Sequence, residues 1–394
     1  MGTRTSSILR RRSLGLSLVE VLVGVAIGLI GVVAIFQAIA VWSRHTSTTT
    51  AGGDAQVAGT LALFNIERDL KQAGHGFGAA VTQVMGCNVA ATDTTPARVF
   101  NFGLRPVEIA ASAGGAPDQI NVLYGDSSFY AGANSGDPLE GSFDTATATT
   151  KKLRRRGGFK PGDLAVVAVN PGASAATAAC QLIQITDDTD PDGYTVAHST
   201  SAFVSFYAAS APAAVSRFNS AVAPGAVSGT IYNLGPDPRL DVWSIQNNRV
   251  LVRSDTIHAT PPLPIGEGVI NLKAEYGVDN DGDGIISAAE WQTTAPTDWR
   301  RVLAIRVAVL VRSRQFERNG DAGAASGVLA VTPTAKNPYY FADPVNRKFL
   351  MTNVDGTADN LSDTDVDPNN WRFYRYRVYE RVIPLRNMLW GNWG

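Results

Sequence analysis

The chain has 394 residues, enough for one large domain or two smaller ones with real cores. Its 34 basic and 35 acidic residues leave a formal charge of −1, which excludes a global pull toward nucleic acid or anionic lipid. Glycine is plentiful, with alanine, serine and threonine, and lysine is scarce; this suits an exported, loop-rich β protein better than a helical enzyme.

Arg10, Arg11 and Arg12 precede Gly15, and from Leu16 to Trp42 the one acidic or basic residue is Glu20. At ~1.5 Å rise per residue this run makes a helix long enough to cross a bilayer. A lone carboxylate near the start of such a helix is costly and marks a functional site. A secretory signal peptide would use Ala38-Ile39-Ala40 as its cleavage site, but the apolar run is too long for one and holds an acid. A plain membrane anchor explains the length and the arginines, which would stay cytoplasmic, but not the placing of Glu20 after Gly15. The basic leader, Gly15 and the following Leu16-Ser17-Leu18-Val19-Glu20 resemble the class III signal of type IV prepilins. The resemblance implies that a prepilin peptidase cuts after Gly15 and methylates Leu16, where most major pilins carry Phe. It also makes Glu20 an assembly carboxylate, paired with the N-terminal amine of a neighbouring subunit. An acid in an apolar layer needs such a cationic partner. Without the motif, Glu20 would snorkel to the interface or be neutral. Gly24 and Gly28 form a GxxxG pair, with Gly31 on the same helix, which permits close helix approach.

Cleavage would remove Arg4, Arg10, Arg11 and Arg12, leaving 30 basic residues against 35 acidic, or −5. Gly52-Gly53 is expected to interrupt or loosen the helix. Helical spacing returns with Leu63, Ile66, Leu70 and Ala73 as an apolar stripe and Glu67, Arg68, Asp69 and Lys71 as the polar face. Gly74 and Gly76 supply a stop. Beyond Gly78 the chain reads as short strands in polar loops. Candidates are Gln119 to Tyr124, Asp163 to Val169, Cys180 to Thr186, a hairpin from Asp241 to Arg253 turning at Asn247-Asn248, Val269 to Val278, Arg301 to Arg312, and Arg372 to Leu385. In the last, Tyr374, Tyr376 and Val378 share one face and Arg375, Arg377 and Arg381 the other. Phe129 to Thr150 and Gln315 to Asn370 read as inserted loops. Export of everything beyond Trp42 would put Cys87 and Cys180 in an oxidising space. That predicts one disulfide, with two buried free thiols as the other reading. Two cysteines cannot by themselves make a four-ligand zinc site.

Asp279-Asn-Asp-Gly-Asp-Gly-Ile-Ile-Ser-Ala-Ala-Glu290 fits the D-x-D-x-D-G-x₅-E pattern of a calcium loop. Asp279, Asp281 and Asp283 take positions 1, 3 and 5, and Ile285 offers its carbonyl at 7. Ser287 acts through water at 9 and Glu290 binds with both oxygens at 12. Four carboxylates this close repel one another without a cation, which makes a single structural Ca²⁺ the expected cofactor. The alternative is an Asp/Gly turn between strands. The basic cluster Lys151 to Arg156 has no interleaved aromatic for base stacking, so a solvated strand edge is expected rather than a nucleic-acid site. The acidic run Asp355 to Asp367 is expected to be a solvated loop, with a second cation site as the alternative. No nucleophile elbow, Walker loop, H-E-x-x-H or C-x-x-C is present, and His45, His75, His198 and His258 lack ligand spacing; no enzyme is expected.

The prepilin signal, the run Ile66-Glu-Arg-Asp-Leu-Lys-Gln-Ala-Gly74, the Asp-rich loop and the ending Tyr374-Arg-Tyr-Arg-Val-Tyr-Glu-Arg-Val-Ile-Pro-Leu-Arg-Asn387 together resemble the PilW-type minor pilins. The resemblance implies an α+β fold, type IV pilin-like, with a long N-terminal helix packed on an antiparallel sheet bearing large loop insertions. It divides the chain into a leader, 1–15, a membrane and filament-core half-helix, 16–42, an amphipathic half, 43–76, and an exported β-rich domain, 77–394. The implied role is structural: a minor pilin that helps start pilus assembly near the tip. The implied partners are the prepilin peptidase, other minor pilins, the major pilin and a tip adhesin. The implied location is the inner membrane with a periplasmic domain, then the surface pilus. A GspJ-type pseudopilin of type II secretion, or a pilus-borne adhesin or DNA-uptake subunit, are the alternatives.

Overall fold

The computed structural model describes residues 17–82, 84–128, 137–138, 149–154, 158–169, 179–187, 194–208, 210–219, 229–314, 316, 338–343, 345–358 and 367–391. The expected leader, with Gly15 and Leu16, and most of the two inserted loops lie outside them. The chain divides into two compact units, Met1–Gly53 and Asp54–Gly394.

Helix α1 (Leu18–Leu70) is continuous. Gly52-Gly53 does not end it, because glycine costs only about 1 kcal/mol per helical residue relative to alanine. Next come β1 (Asn88–Thr94), β2 (Ala97–Gly103), β3 (Val107–Ala110), β4 (Gln119–Tyr124), β5 (Asp137–Pro138), β6 (Thr150–Lys152) and β7 (Leu164–Val169). They are followed by β8 (Ala179–Gln184), β9 (Thr195–Ala197), β10 (Ala202–Phe203), β11 (Ala214–Val215), β12 (Gly229–Gly235), β13 (Arg239–Gln246) and β14 (Val250–Asp255). The chain ends with β15 (Thr260–Glu267), β16 (Val269–Val278), β17 (Trp291–Gln292), β18 (Val302–Arg312), β19 (Tyr376–Pro384) and the short helix α2 (Arg386–Gly391). Among the described residues the three larger sheets run β2-β1-β8-β7-β12-β5, β15-β14-β13-β4-β3 and β17-β16-β18-β19. Their neighbours pair antiparallel except β1 with β8. The β13–β14 turn falls where Asn247 and Asn248 were expected, with φ of 51° and 53°, a conformation asparagine tolerates.

Strands β16 and β18 are central. All ten residues of β16 are buried, and in β18 Arg306 alone is half-buried. One face of this sheet joins the main core, where Ala62, Leu63, Ile66, Leu70 and Ala73 of the first helical region meet Trp243, Tyr276, Val307 and Ile383. Each buried leucine or isoleucine there contributes roughly 1.5–3 kcal/mol. On the other face Ile270, Ala308 and Leu310 are covered by Tyr340, Phe349, Met351 and Trp371. Part of the stretch expected to be an inserted loop is therefore core-forming. On the main-core face Gly59 admits the close approach of helix and β19, since a Cβ there would overlap the Tyr379 ring.

Several expectations need correcting. Asp69 is fully buried rather than on the polar face, because it meets cations from its own helix and from β14. Trp371–Phe373 forms a 3₁₀ turn, so the last strand begins at Tyr376. The face of β19 that carries Arg377 and Arg381 also carries Tyr379 and Ile383, and Arg381 pairs with Glu67 of α1. That face is packed, and its arginines reach past the apolar contacts to solvent and to the acid. Lys151 is buried beside His198, Nζ to Nε2 2.9 Å, so this part of the basic cluster is no solvated edge.

Candidate functional site

Leu18–Ile39 has a mean hydropathy of 2.7, none of it buried inside the chain, and is long and apolar enough to cross a membrane. The helix opens at Ser17, whose Oγ accepts the Val19 N–H at 3.3 Å. Glu20 lies in the first turn, where free N–H groups and the helix dipole favour an anion. Ser17-x-x-Glu20 has the capping-box spacing, a local reason for an acid that the sequence analysis passed over. Among the described residues no basic side chain pairs with Glu20. A Cβ added at Gly24, Gly28 or Gly31 would meet nothing within 4 Å, so no contact inside the chain requires these glycines.

The acidic loop leaves the end of β16 and returns through β17. Its seat is Gly277, where a Cβ would press on Trp291 and Ile286 at 3.0–3.1 Å. Asp279 shapes the turn: its Oδ1 accepts the N–H of Gly282 at 2.6 Å and of Asp283 at 3.1 Å, and its Oδ2 that of Gly284 at 3.0 Å. Gly282 and Gly284 take φ of 81° and 78°, which side chains resist. Arg301 closes the base, with Nη1 donating to the carbonyls of Asp279 at 2.9 Å and Asn280 at 2.8 Å.

The loop gathers one carboxylate oxygen from each of Asp279, Asp281 and Asp283 within 4.8 Å of one another. Glu290 stands outside this group. Its Oε1 accepts the Asn280 N–H and its Oε2 the Ser287 N–H, each at 2.8 Å, and these donors hold its carboxyl below the ordinary range. The Asp281 carboxyl is raised: the Asp283 N–H lowers it, but desolvation and the charges of Asp283 and Glu290 prevail. Three hard oxygens and a mutual repulsion fit a cation of the calcium type. Ile285 and Ser287 lie on the same loop.

Cys87 and Cys180 form a disulfide with Cα atoms 6.1 Å apart. It fixes the start of β1 beside β8, where Val89 pairs with Cys180. Closing a loop of about 100 residues is worth on the order of 4–5 kcal/mol in the chain-entropy account. In the Asp355 to Asp367 run, Asp355 accepts from Thr357 and Asn369, while Asp359, Asp363 and Asp365 lie outside the described residues.

Residues 244–387, from β13 to the start of α2, match the family model PilW, Type IV Pilus-assembly protein W. Comparison with curated proteins and with solved structures gives no match. The matched region holds the acidic loop, both central strands and β19. The apolar N-terminal helix fits membrane anchoring of such a protein. The match over residues 244–387, a little over a third of the chain, is to a family described as a type IV pilus-assembly protein, and it points toward that family.

Proposed function

We propose that the chain is a structural minor pilin that helps initiate type IV pilus assembly near the tip, working with other minor pilins and the major pilin rather than as an enzyme. The observation that carries this reading is the second apolar stripe of α1. A helix that buries one face in its own core is ordinarily polar on the other. Here Val57, Leu61 and Phe64 are 67%, 47% and 59% exposed, opposite the buried Leu63, Ile66 and Leu70. An exposed stripe on one helical face calls for another apolar surface. Helices of neighbouring subunits meet that need. In the same reading, prepilin peptidase cuts after Gly15 and methylates Leu16. Glu20 then pairs with the freed amine of a neighbour and sets register.

The acidic loop enters as a structural Ca²⁺ site. Asp279, Asp281 and Asp283 would hold the ion, with the Ile285 carbonyl, Ser287 and, once its carboxylate turns from the Asn280 and Ser287 N–H groups, Glu290 completing the set. A bound cation neutralises the loop's repulsion and would fix the connection from β16 through β17 to β18. The test is a photo-crosslinker at Phe64, activated in sheared pili. Crosslinks to pilin subunits support the reading; crosslinking confined to lipid, with no pilin adduct, contradicts it.

A further inference from the structure

Asp69 in the last turn of α1 and Asp241 on β13 are 0% and 1% exposed, and they face one another across the seam between the helix and the sheet. One guanidinium serves both: Arg253 Nη1 of β14 stands 3.7 Å from Asp69 Oδ2 and 3.7 Å from Asp241 Oδ2. That distance exceeds a hydrogen bond. Arg68 reaches Asp69 Oδ1 at 3.3 Å, but its side chain is half exposed and screened by water. Tyr124 of β4 donates its hydroxyl to Asp241 Oδ2 at 2.7 Å. The remaining oxygens, Asp69 Oδ2 and Asp241 Oδ1, have no hydrogen-bond partner.

The neighbouring strands supply further charge without settling the deficit. Asp255 of β14 lies directly across from Asp241 and adds a third acid. Arg239 is 3.7 Å from Asp255 and 2.7 Å from Asp237. His258 bridges the same two acids, at 2.6 Å and 3.3 Å. Both side chains are turned toward Asp255 and Asp237. Asp69 thus has the half-exposed Arg68 and a share of Arg253, and Asp241 is left with its share of the distant Arg253 alone. Buried ions in that state shed their charge by protonation. A proton on Asp241 removes the surplus charge and supplies a donor where there are only acceptors.

We propose that Asp241, facing Asp69 across this seam, binds a proton, so that the end of α1 is held to the sheet more firmly in mildly acidic medium than in neutral or alkaline medium. The electrostatics agree. The Asp241 carboxyl is pushed up to about 6, by burial first and by the Asp69 and Asp255 charges, against the Tyr124 hydrogen bond and Arg253. A carboxyl raised in the folded chain binds a proton that the unfolded chain has released. Its stabilisation is complete below the unfolded carboxylate pKa of about 3.9 and is lost as pH rises through about 6.

The test is hydrogen exchange of the full chain in detergent, corrected for intrinsic rates, reading the amides of residues 63–73 at pH 5 and pH 7.5. Wild type should show several-fold greater protection at pH 5. Asp241→Asn, which supplies a permanent neutral donor, should show the high protection at both pH values. Asp69→Asn should do the same and serves if Asp241→Asn does not fold. A wild type with equal protection at the two pH values, or variants that keep the wild-type pH response, would overturn the proposal.

Discussion

Helix α1 carries an acid in its first turn and a buried one in its last. Glu20 sits among exposed apolar residues with no basic side chain against it among the described residues. Asp69 is buried and finds its cations, Arg68 and Arg253, within its own chain. A charge held in an apolar setting needs a partner in either case. The difference is where the partner comes from. Asp69 makes the fold; in the proposed reading Glu20 is left for assembly. The trio of buried Asp279 with exposed Asp281 and Asp283 adds a third setting, in which the proposed positive charge is a metal ion's.

The largest expected effect breaks the comparison at its first acid. Glu20→Ala should leave insertion, level and thermal unfolding unchanged, because removing one acid makes the helix more apolar. Surface pili per cell should fall sharply. Normal piliation with no other minor pilin present would remove the register role.

A second variant sharpens the other side by showing what a fully partnered buried acid is worth. Asp118 accepts from Ser112 N–H at 2.8 Å, Ala274 N–H at 3.0 Å and Lys273 Nζ at 2.5 Å, with both side chains almost wholly buried. Lys273→Met strands that carboxylate and should cost about 3–5 kcal/mol, read by denaturant unfolding. Asp241→Asn should show no such loss. A similar loss in both variants would mean that the seam is as well paired as the Asp118 site.

Calcium comes next. For the full chain in detergent, the unfolding midpoint should rise with calcium and fall with chelator. At a calcium concentration 100-fold above Kd the gain is about 2.7 kcal/mol. Asp279→Ala should abolish the difference. Equal midpoints for wild type at millimolar calcium and in chelator would reduce the loop to an acidic turn. The smallest effect is at the seam: Asp241→Asn should unfold at a slightly higher temperature than wild type at pH 7.5, with the gap closing toward pH 5.

What could be read from sequence followed local pattern. The Leu63, Ile66, Leu70 and Ala73 stripe, β4, β16 and β18 stand out by apolar spacing alone, and all took the expected places. Strands β1, β2, β3, β12 and β15 were passed over. β15 holds Pro261, Pro262 and Pro264, which argue against a strand except at a sheet edge, and that is where it lies. β12 is bounded by Gly229 and Gly235 and reads as turn. The burial of Asp69 had no local signal, since its partners come from β14 and β13, more than 170 residues on. The acidic loop was legible as a motif, yet its geometry was not: Glu290 caps the backbone of Ser287 and Asn280 instead of joining the three aspartates. Spacing names the residue types, whereas the choice between a ligand and a cap is made by where the backbone donors point.

The central claim, that this helix is a processed pilin helix assembled with others, is tested most directly by the intact mass of the chain recovered from sheared pili. The account predicts loss of Met1 to Gly15 and the gain of one methyl group on Leu16. An uncut chain in cells with active peptidase, or a chain beginning at Ser43, would contradict it.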